Sequence, residues 1–300
     1  ASLWASVARG STPEDLARRV PFAVSSALPA VRAPRGPVIL LPMPAGVVPE
    51  RLLGEEGERA RALRKARFVA PGVLRALLRG EDVAWTSVPG GCVVEQEIAG
   101  DFPDGLWARE SRLRLTVDRL GDGPIEGLLY DFGAVRFREG ARLALVAAFA
   151  DPAVRPTFEA ALRLLGDEGV GADRSAGYGR FEVEETVPFE IELGEGFALS
   201  LSLLSPTREE IESGLLEAPA SYALAIRGGW VTSRGAMALR RRAVRMLTEG
   251  SVVRAASGRL LGRWPAVLEP HPELGLAHPV YRPGAAVTVP ISWPPRGRSA

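Results

Sequence analysis

A chain of 300 residues, 46% of them hydrophobic and with a formal net charge of +1, is long enough for one large domain or two ordinary ones, with a real core. Its single cysteine, Cys92, excludes an internal disulfide framework and a cysteine-built structural zinc site and suits a cytoplasmic protein. Lys65 is the sole lysine, so nearly all the positive charge is arginine, whose planar fork suits phosphate and stacked bases. No apolar run is long enough to span a bilayer, so no membrane partner is expected. Ala1 to Ala8 lacks the layout of a signal peptide.

In chain order, Ser2 to Arg9 is expected to form a helix packing Leu3, Trp4 and Val7. That opening is already helical and lacks Met, so a strand is expected before Ala1. Pro21 to Pro29 reads as a turn and short strand, and the Pro-rich run from Pro29 to Pro49 as a surface excursion. Glu55 to Phe68 and Val73 to Arg79 read as helices, and Glu81 to Trp107 as an irregular insertion or weak hairpin. From Arg112 to Arg119, Leu113, Leu115 and Val117 alternate with polar residues as in a strand. A Gly-rich tip from Leu120 to Glu126 turns the chain into a second strand, Gly127 to Val135, and Arg142 to Phe149 reads as one central strand. Phe158, Ala161, Leu162 and Leu165 then share one face of a helix.

Between that helix and an alternating stretch, Phe181 to Val187, lies Gly169-Val170-Gly171-Ala172-Asp173-Arg174-Ser175-Ala176-Gly177-Tyr178-Gly179-Arg180. Glycine allows positive φ and close approach to the backbone, and successive exposed N–H groups with two arginines make an anion cradle. The same composition also suits a merely tight connection. Nucleotide fingerprints fit poorly: no Gly-Lys-Ser/Thr closes the loop, and it runs from helix to strand, opposite to the dinucleotide motif. The chain then repeats itself loosely. Phe197 to Leu204 is a strand, Thr207 caps a helix with Glu210 at its third position, and Tyr222 to Ile226 is a strand broken by Arg227-Gly228-Gly229. Arg240 to Leu247, Gly250 to Val253 and Ala286 to Ile291 follow.

These elements predict an α+β fold of two ferredoxin-like, RNA-recognition-motif-like halves, 1–187 and 188–300, the second degenerate, with the glycine loop and an inserted hairpin in the first. Nothing in the pattern offers catalysis. His271 and His278 sit in a loop-like stretch beside prolines, no HExxH helix or His cluster marks a metal site, and no cofactor is expected. Arginines beside glycines are the stronger signal. Arg174, Arg180, Arg119 and Arg227 recur in two similar halves and suggest a nucleic-acid face, with Tyr178 and Trp230 available for stacking on bases, although Trp230 suits a core equally.

The helix and glycine loop resemble those of the RAMP proteins of CRISPR systems. Pro21 to Pro29, Thr116-Val117-Asp118-Arg119, Leu201 to Thr207, Tyr222 through Trp230 and Gly250-Ser251-Val252 extend the resemblance, in order, to the fourth subunit of the type III-A Csm effector complex, from about Leu3 to Ser251. The resemblance implies a non-catalytic subunit that binds the 5′ handle of the CRISPR RNA (crRNA). It would dock against the large polymerase-like subunit, abut the backbone RAMP subunit, and meet target RNA through the assembled complex. Gly169, Gly171, Asp173, Arg174, Ser175, Gly177, Tyr178, Gly179 and Arg180 would hold the handle. Ser25, Ser26, Arg119, Arg227, Trp230 and Ser251 are carried over beside them. The hairpin from Leu120 to Tyr130 would be a thumb interrupting guide–target pairing, with Leu120 and Ile125 at its tip. The family's opening strand and turn are absent here, and residues after Leu261 align poorly. The alternatives are the equivalent subunit of a type III-B complex, a RAMP-fold CRISPR RNA-processing endonuclease, and a small-molecule kinase whose glycine loop binds nucleotide.

Overall fold

The computed structural model describes residues 12–33, 36–117, 124–171, 173–231, 239–255 and 260–296. They form a mixed α+β protein of seven small sheets and few helices, the longest being Arg155–Glu168. The expected helix at Ser2 to Arg9 lies outside the described residues. The chain divides into two compact units: Ala1–Ser26 with Pro44–Gly46 and Leu145–Pro294, and Ala27–Met43 with Val47–Ala144 and Pro295–Ala300. The expected boundary after residue 187 falls inside the first of these.

In the unit containing Val47–Ala144, a four-stranded sheet runs in the order Leu41–Pro42, Phe68–Val69, Cys92–Glu95, Trp85–Val88. Its inner pair is parallel, and parallel strands need a crossover. The helix Pro71–Arg79 supplies it, starting on a proline, burying Val73, Leu74, Ala76, Leu77 and Leu78, and stopping at Gly80 in the left-handed conformation. Cys92 is fully buried in this sheet, and burial pushes its thiol up to about 12, with Arg67 pulling weakly the other way. The stretch from Glu81 to Trp107 is therefore more ordered than its glycines and prolines predict.

The Pro-rich run also departs from expectation. Rather than a surface excursion, Pro29 to Pro49 contributes to Leu28–Ala33, to Gly36–Ile39 and to Leu41–Pro42, with Leu28, Leu40 and Leu41 buried at 1% exposure or less. Proline has no N–H to leave unpaired, and the Pro29 carbonyl still accepts from the Leu40 amide at 2.8 Å. Trp107–Val117 and Pro124–Phe137 pair as a long antiparallel ribbon. Leu113, Leu115 and Leu129 on it are exposed by half or more.

In the other unit, Phe22–Val24 pairs with Ala147–Phe149. Phe158 meets Phe22 and Phe149 edge-on, with ring centroids 4.9 and 5.4 Å away, and so anchors the helix Arg155–Glu168. The single strand expected from Arg142 to Phe149 is two. Ala141–Ala144 pairs with Leu28–Ala33, and the break falls beside Val146, whose amide and carbonyl are bonded to Ser25 instead. A three-stranded sheet of Val252–Val253, Phe197–Ser200 and Thr288–Ile291 covers a core of Ala198, Leu204, Leu215, Leu247, Val253, Leu261 and Ala286.

Thr207 and Glu210 form the capping box their spacing predicts at the helix Arg208–Glu212. The Glu210 carboxylate also accepts from the Gly262 amide at 2.9 and 3.1 Å. The strand expected from Phe181 to Val187 is not one: half-buried and exposed residues alternate only as far as Glu184, and the stretch pairs with no described strand. Leu224–Val231 and Leu239–Leu247 form a second ribbon, and the break expected at Arg227-Gly228-Gly229 is a β-bulge through which the strand continues. Among the described residues no helix is long and apolar enough to cross a membrane.

Candidate nucleic-acid interface

The glycine loop is built as its composition requires. Gly169, Gly171, Gly177 and Gly179 all have positive φ, between +74° and +100°. The loop closes on itself where the Val170 amide donates to the Gly179 carbonyl at 2.9 Å. A Cβ at Gly179 would collide with the Val170 backbone, so this position admits glycine alone. Within the loop, Arg174–Ala176 makes a single 3-10 turn, and the amides of Ala176 and Tyr178 donate to the Asp173 carbonyl at 3.1 and 3.3 Å. Gly169 is buried at the helix end, where its amide donates to Leu165, and Tyr178 and Asp173 are half-buried. Gly171, Arg174, Ser175, Gly177, Gly179 and Arg180 face solvent. The result is a self-closed backbone arch with two exposed guanidiniums, a geometry able to hold anionic groups.

The serines lie elsewhere and are placed differently. Ser25 is buried; its hydroxyl donates to the Ser26 carbonyl at 2.7 Å and accepts from the Val146 amide at 2.9 Å. The Ser26 hydroxyl donates to the Glu249 carboxylate, and its amide donates to the Leu201 carbonyl. Ser251 is fully buried, its carbonyl accepting from Ser200 at 2.8 Å, and its hydroxyl has no partner. The fold thus brings Ser25, Ser26 and Ser251 to one junction, but it presents neither Ser25 nor Ser251 at the surface.

Arg227 and Trp230 sit on the second ribbon, and Trp230 is 58% exposed, so it is not a core residue. They are three residues apart and lie on opposite faces, Arg227 pairing with half-buried Val244 and Trp230 with exposed Arg240. The bulge puts its extra residue on the facing strand, so Arg241 shares the face of Val244 while Arg240 and Arg242 share the other. Arg119 and Leu120 lie outside the described residues. Ile125 lies in the strand Pro124–Phe137. Sequence reading missed the arginines that join Arg227: Arg241 and Arg282. Arg282 donates to the Gly228 carbonyl at 2.8 Å, and burial, then Arg241 and Arg227, lower its pKa. Only the run Arg240-Arg241-Arg242 hinted at them, and Arg282 is remote in sequence.

The histidines are held locally, His271 Nδ1 lying 3.1 Å from the Glu273 carboxylate and His278 Nδ1 2.9 Å from the Pro279 carbonyl. Among the described residues, no group of three or more His, Cys, Asp or Glu is placed to hold a metal ion.

The family model of the CRISPR Csm4 C-terminal domain matches residues 195–291, the span that carries the second ribbon and the three-stranded sheet. A curated CRISPR system Cms protein Csm4 of Thermococcus onnurineus (strain NA1) is 27% identical over 282 residues, covering 90% of this chain and 80% of its own length. Residues 195–291 match the Csm4 C-terminal domain, and the chain along most of its length is similar to a Csm4 protein. Its fold is also that of chains in solved Csm4 assemblies. One, in the crystal structure of a Csm3–Csm4 subcomplex of the type III-A CRISPR-Cas interference complex, aligns with a TM-score of 0.61 at 16% identity, covering 97% of this chain and 91% of that one. Another, in a Csm1–Csm4 cassette in complex with cA4, aligns with a TM-score of 0.56 at 22% identity over 97% and 91%.

Proposed function

We propose that this chain is a non-catalytic subunit of a type III-A CRISPR effector complex that grips the 5′ handle of the guide RNA. The observation that carries this reading is the self-closed glycine loop, in which four positive-φ glycines hold Arg174 and Arg180 in solvent. Backbone amides and guanidiniums together position a phosphate chain without reading its bases. Tyr178, Arg227 and Trp230 supply stacking and further charge. Ser25, Ser26 and Ser251 shape the junction beside the three-stranded sheet and act there through the backbone they hold.

Solved relatives pair Csm4 with Csm1 and with Csm3, and this chain is assigned a large Csm1-type partner and a Csm3-type backbone neighbour, meeting target RNA through the assembly. The two ferredoxin-like halves belong to this reading. So does a thumb role for the long ribbon, whose exposed Leu113, Leu115 and Leu129 suit wedging or docking better than a solvated edge.

The test is handle-RNA binding by Arg174→Glu across a salt series. Affinity is expected to fall and the salt slope to flatten by about 0.7 for the lost phosphate contact. An unchanged affinity and slope would remove the loop from the reading, and metal-free cleavage of repeat RNA by the isolated chain would replace the subunit by an endonuclease.

A further inference from the structure

The second ribbon carries more positive charge than its fold needs. At its bulge, three guanidiniums converge: Arg227 on one strand, Arg241 on the other, and Arg282, which reaches the Gly228 carbonyl. None of the three makes an ion pair with a described residue. The Nε atoms of Arg241 and Arg282 are buried without any acceptor. A buried donor left unmatched is costly, and like charges held together add to that cost. Such an arrangement persists where an outside anion completes it.

The space for that anion is present. A cleft of about 590 Å³ lies along Leu239–Leu247 and Ala266–Leu268, with Arg240, Arg241 and Arg242 in its wall. Glu269 is the one carboxylate lining it, and it is in no ion pair. Arg242 is tied to the Ala266 carbonyl at 2.7 Å, which fixes the wall, while Arg240 remains exposed. Beside Arg240, its cross-strand partner Trp230 stands in solvent on the face that Arg240 and Arg242 share. Alternate residues on a strand are roughly 7 Å apart, so Arg240 and Arg242 offer two steps of charge beside an aromatic surface. Stacking platform and charged groove together are what a single strand of nucleic acid requires, and a free phosphate would use only the second.

We propose that this arginine cleft is a second phosphate site, built from residues other than the glycine loop, and that it takes a backbone phosphate of single-stranded RNA while Trp230 stacks on an adjoining base. The site rests on the reading of the chain as an RNA-binding subunit and adds to it where the strand runs. Arg241 makes the contact from the cleft wall, and Arg240 lengthens it along the face that Trp230 shares.

The experiment is fluorescence anisotropy of a labelled single-stranded RNA over a salt series, with wild-type chain, Arg241→Ala, Arg240→Gln and Arg174→Ala. Arg240 is exposed, so Arg240→Gln reports on the cleft even where Arg241→Ala disturbs the ribbon. Arg241→Ala is expected to weaken binding about tenfold, the size of a lost charged hydrogen bond, and Arg240→Gln severalfold. Each should lower the salt slope by about 0.7. Trp230→Ala should weaken binding with the slope unchanged. Wild-type slope and affinity in both cleft variants, with Arg174→Ala impaired, would overturn the cleft and leave the glycine loop standing. No RNA binding by wild type would overturn both. Thermal stabilisation by inorganic phosphate that is lost in Arg241→Ala, while RNA binding is untouched, would give the cleft to a free phosphate and overturn the RNA assignment. Displacement of the RNA by an acidic peptide but not by unlabelled RNA would do the same.

Discussion

The two ribbons share a secondary structure and differ in what they do with charge. The long ribbon neutralises its charge internally: Arg112 and Arg136 lie 3.0 and 3.6 Å from the Glu110 carboxylate, and the Arg114 guanidinium lies 4.1 Å over the Phe132 ring. Beside those paired charges it offers solvent apolar side chains, with Leu113 68% and Leu129 62% exposed. The second ribbon leaves its charge unpaired. Met246 and Leu247 at its root are 1% and 2% exposed, Leu224 and Ile226 on the strand across from them are 60% and 68% exposed, and its outer half gathers arginines that meet no carboxylate among the described residues. A two-stranded ribbon is marginal by itself, so each must be held at its root and is free to display a chosen chemistry beyond it. Both display surface that water disfavours; the second adds charge that an anion would favour.

The largest expected contrast is at the roots and flanks. Met246→Ala should cost about 2–5 kcal/mol, as a large-to-small change in a packed core does. Leu113→Ala, on an exposed position, should stay within roughly 0.5 kcal/mol. Urea unfolding of both variants checks this, and a Leu113→Ala cost equal to that of Met246→Ala would mean the long ribbon is as anchored along its length as the second is at its base.

A smaller contrast concerns two glycines. Gly229 has φ of +129°, and a Cβ there would lie 2.8 Å from an Arg241 Nη atom, so Gly229→Ala should destabilise by about 1–3 kcal/mol. Gly133 in the long ribbon has open space around it and no positive φ, so Gly133→Ala should be neutral or stabilising by up to about 1 kcal/mol. Thermal melts of the pair would show whether the bulge, rather than glycine content, sets the second ribbon apart. Smallest is the response to salt. Screening relieves repulsion among Arg227, Arg241 and Arg282 but weakens the Glu110 pairs. Amide exchange should therefore slow at the bulge and quicken beside Glu110 as salt rises, by less than about 1 kcal/mol each. Parallel changes in both would dissolve the distinction.

Local rules made parts of this molecule legible before any coordinates. Thr207 and Glu210 are three residues apart, and a capping box needs nothing else. Phe158, Ala161, Leu162 and Leu165 declared one helix face, and four spaced glycines declared a loop that only positive φ allows. What needed partners did not read through. Phe181 to Val187 alternates like a strand but has no edge to join. Pro29 and Leu41 looked like loop because proline masks a strand whose carbonyl accepts a neighbour's amide. Ser25 and Ser251 carry no sign of their burial. The meeting of Arg241 with Arg282 depends on a bulge and a distant strand, so a sequence shows the arginines and not their convergence.

Cys92 bears on how all of this can be probed. It is the sole thiol of the chain, fully buried and raised to about 12, so at pH 8 it is neither accessible nor ionised. Because its pKa is raised on folding, the stability it contributes is intact below its unfolded value near 9 and is lost as pH climbs through 9 towards about 12. Near neutrality the native chain is chemically silent towards maleimides. A cysteine placed by Leu113→Cys or Arg240→Cys would be the one position to answer, carrying a dye or a photo-crosslinker to one ribbon at a time and naming what each ribbon touches.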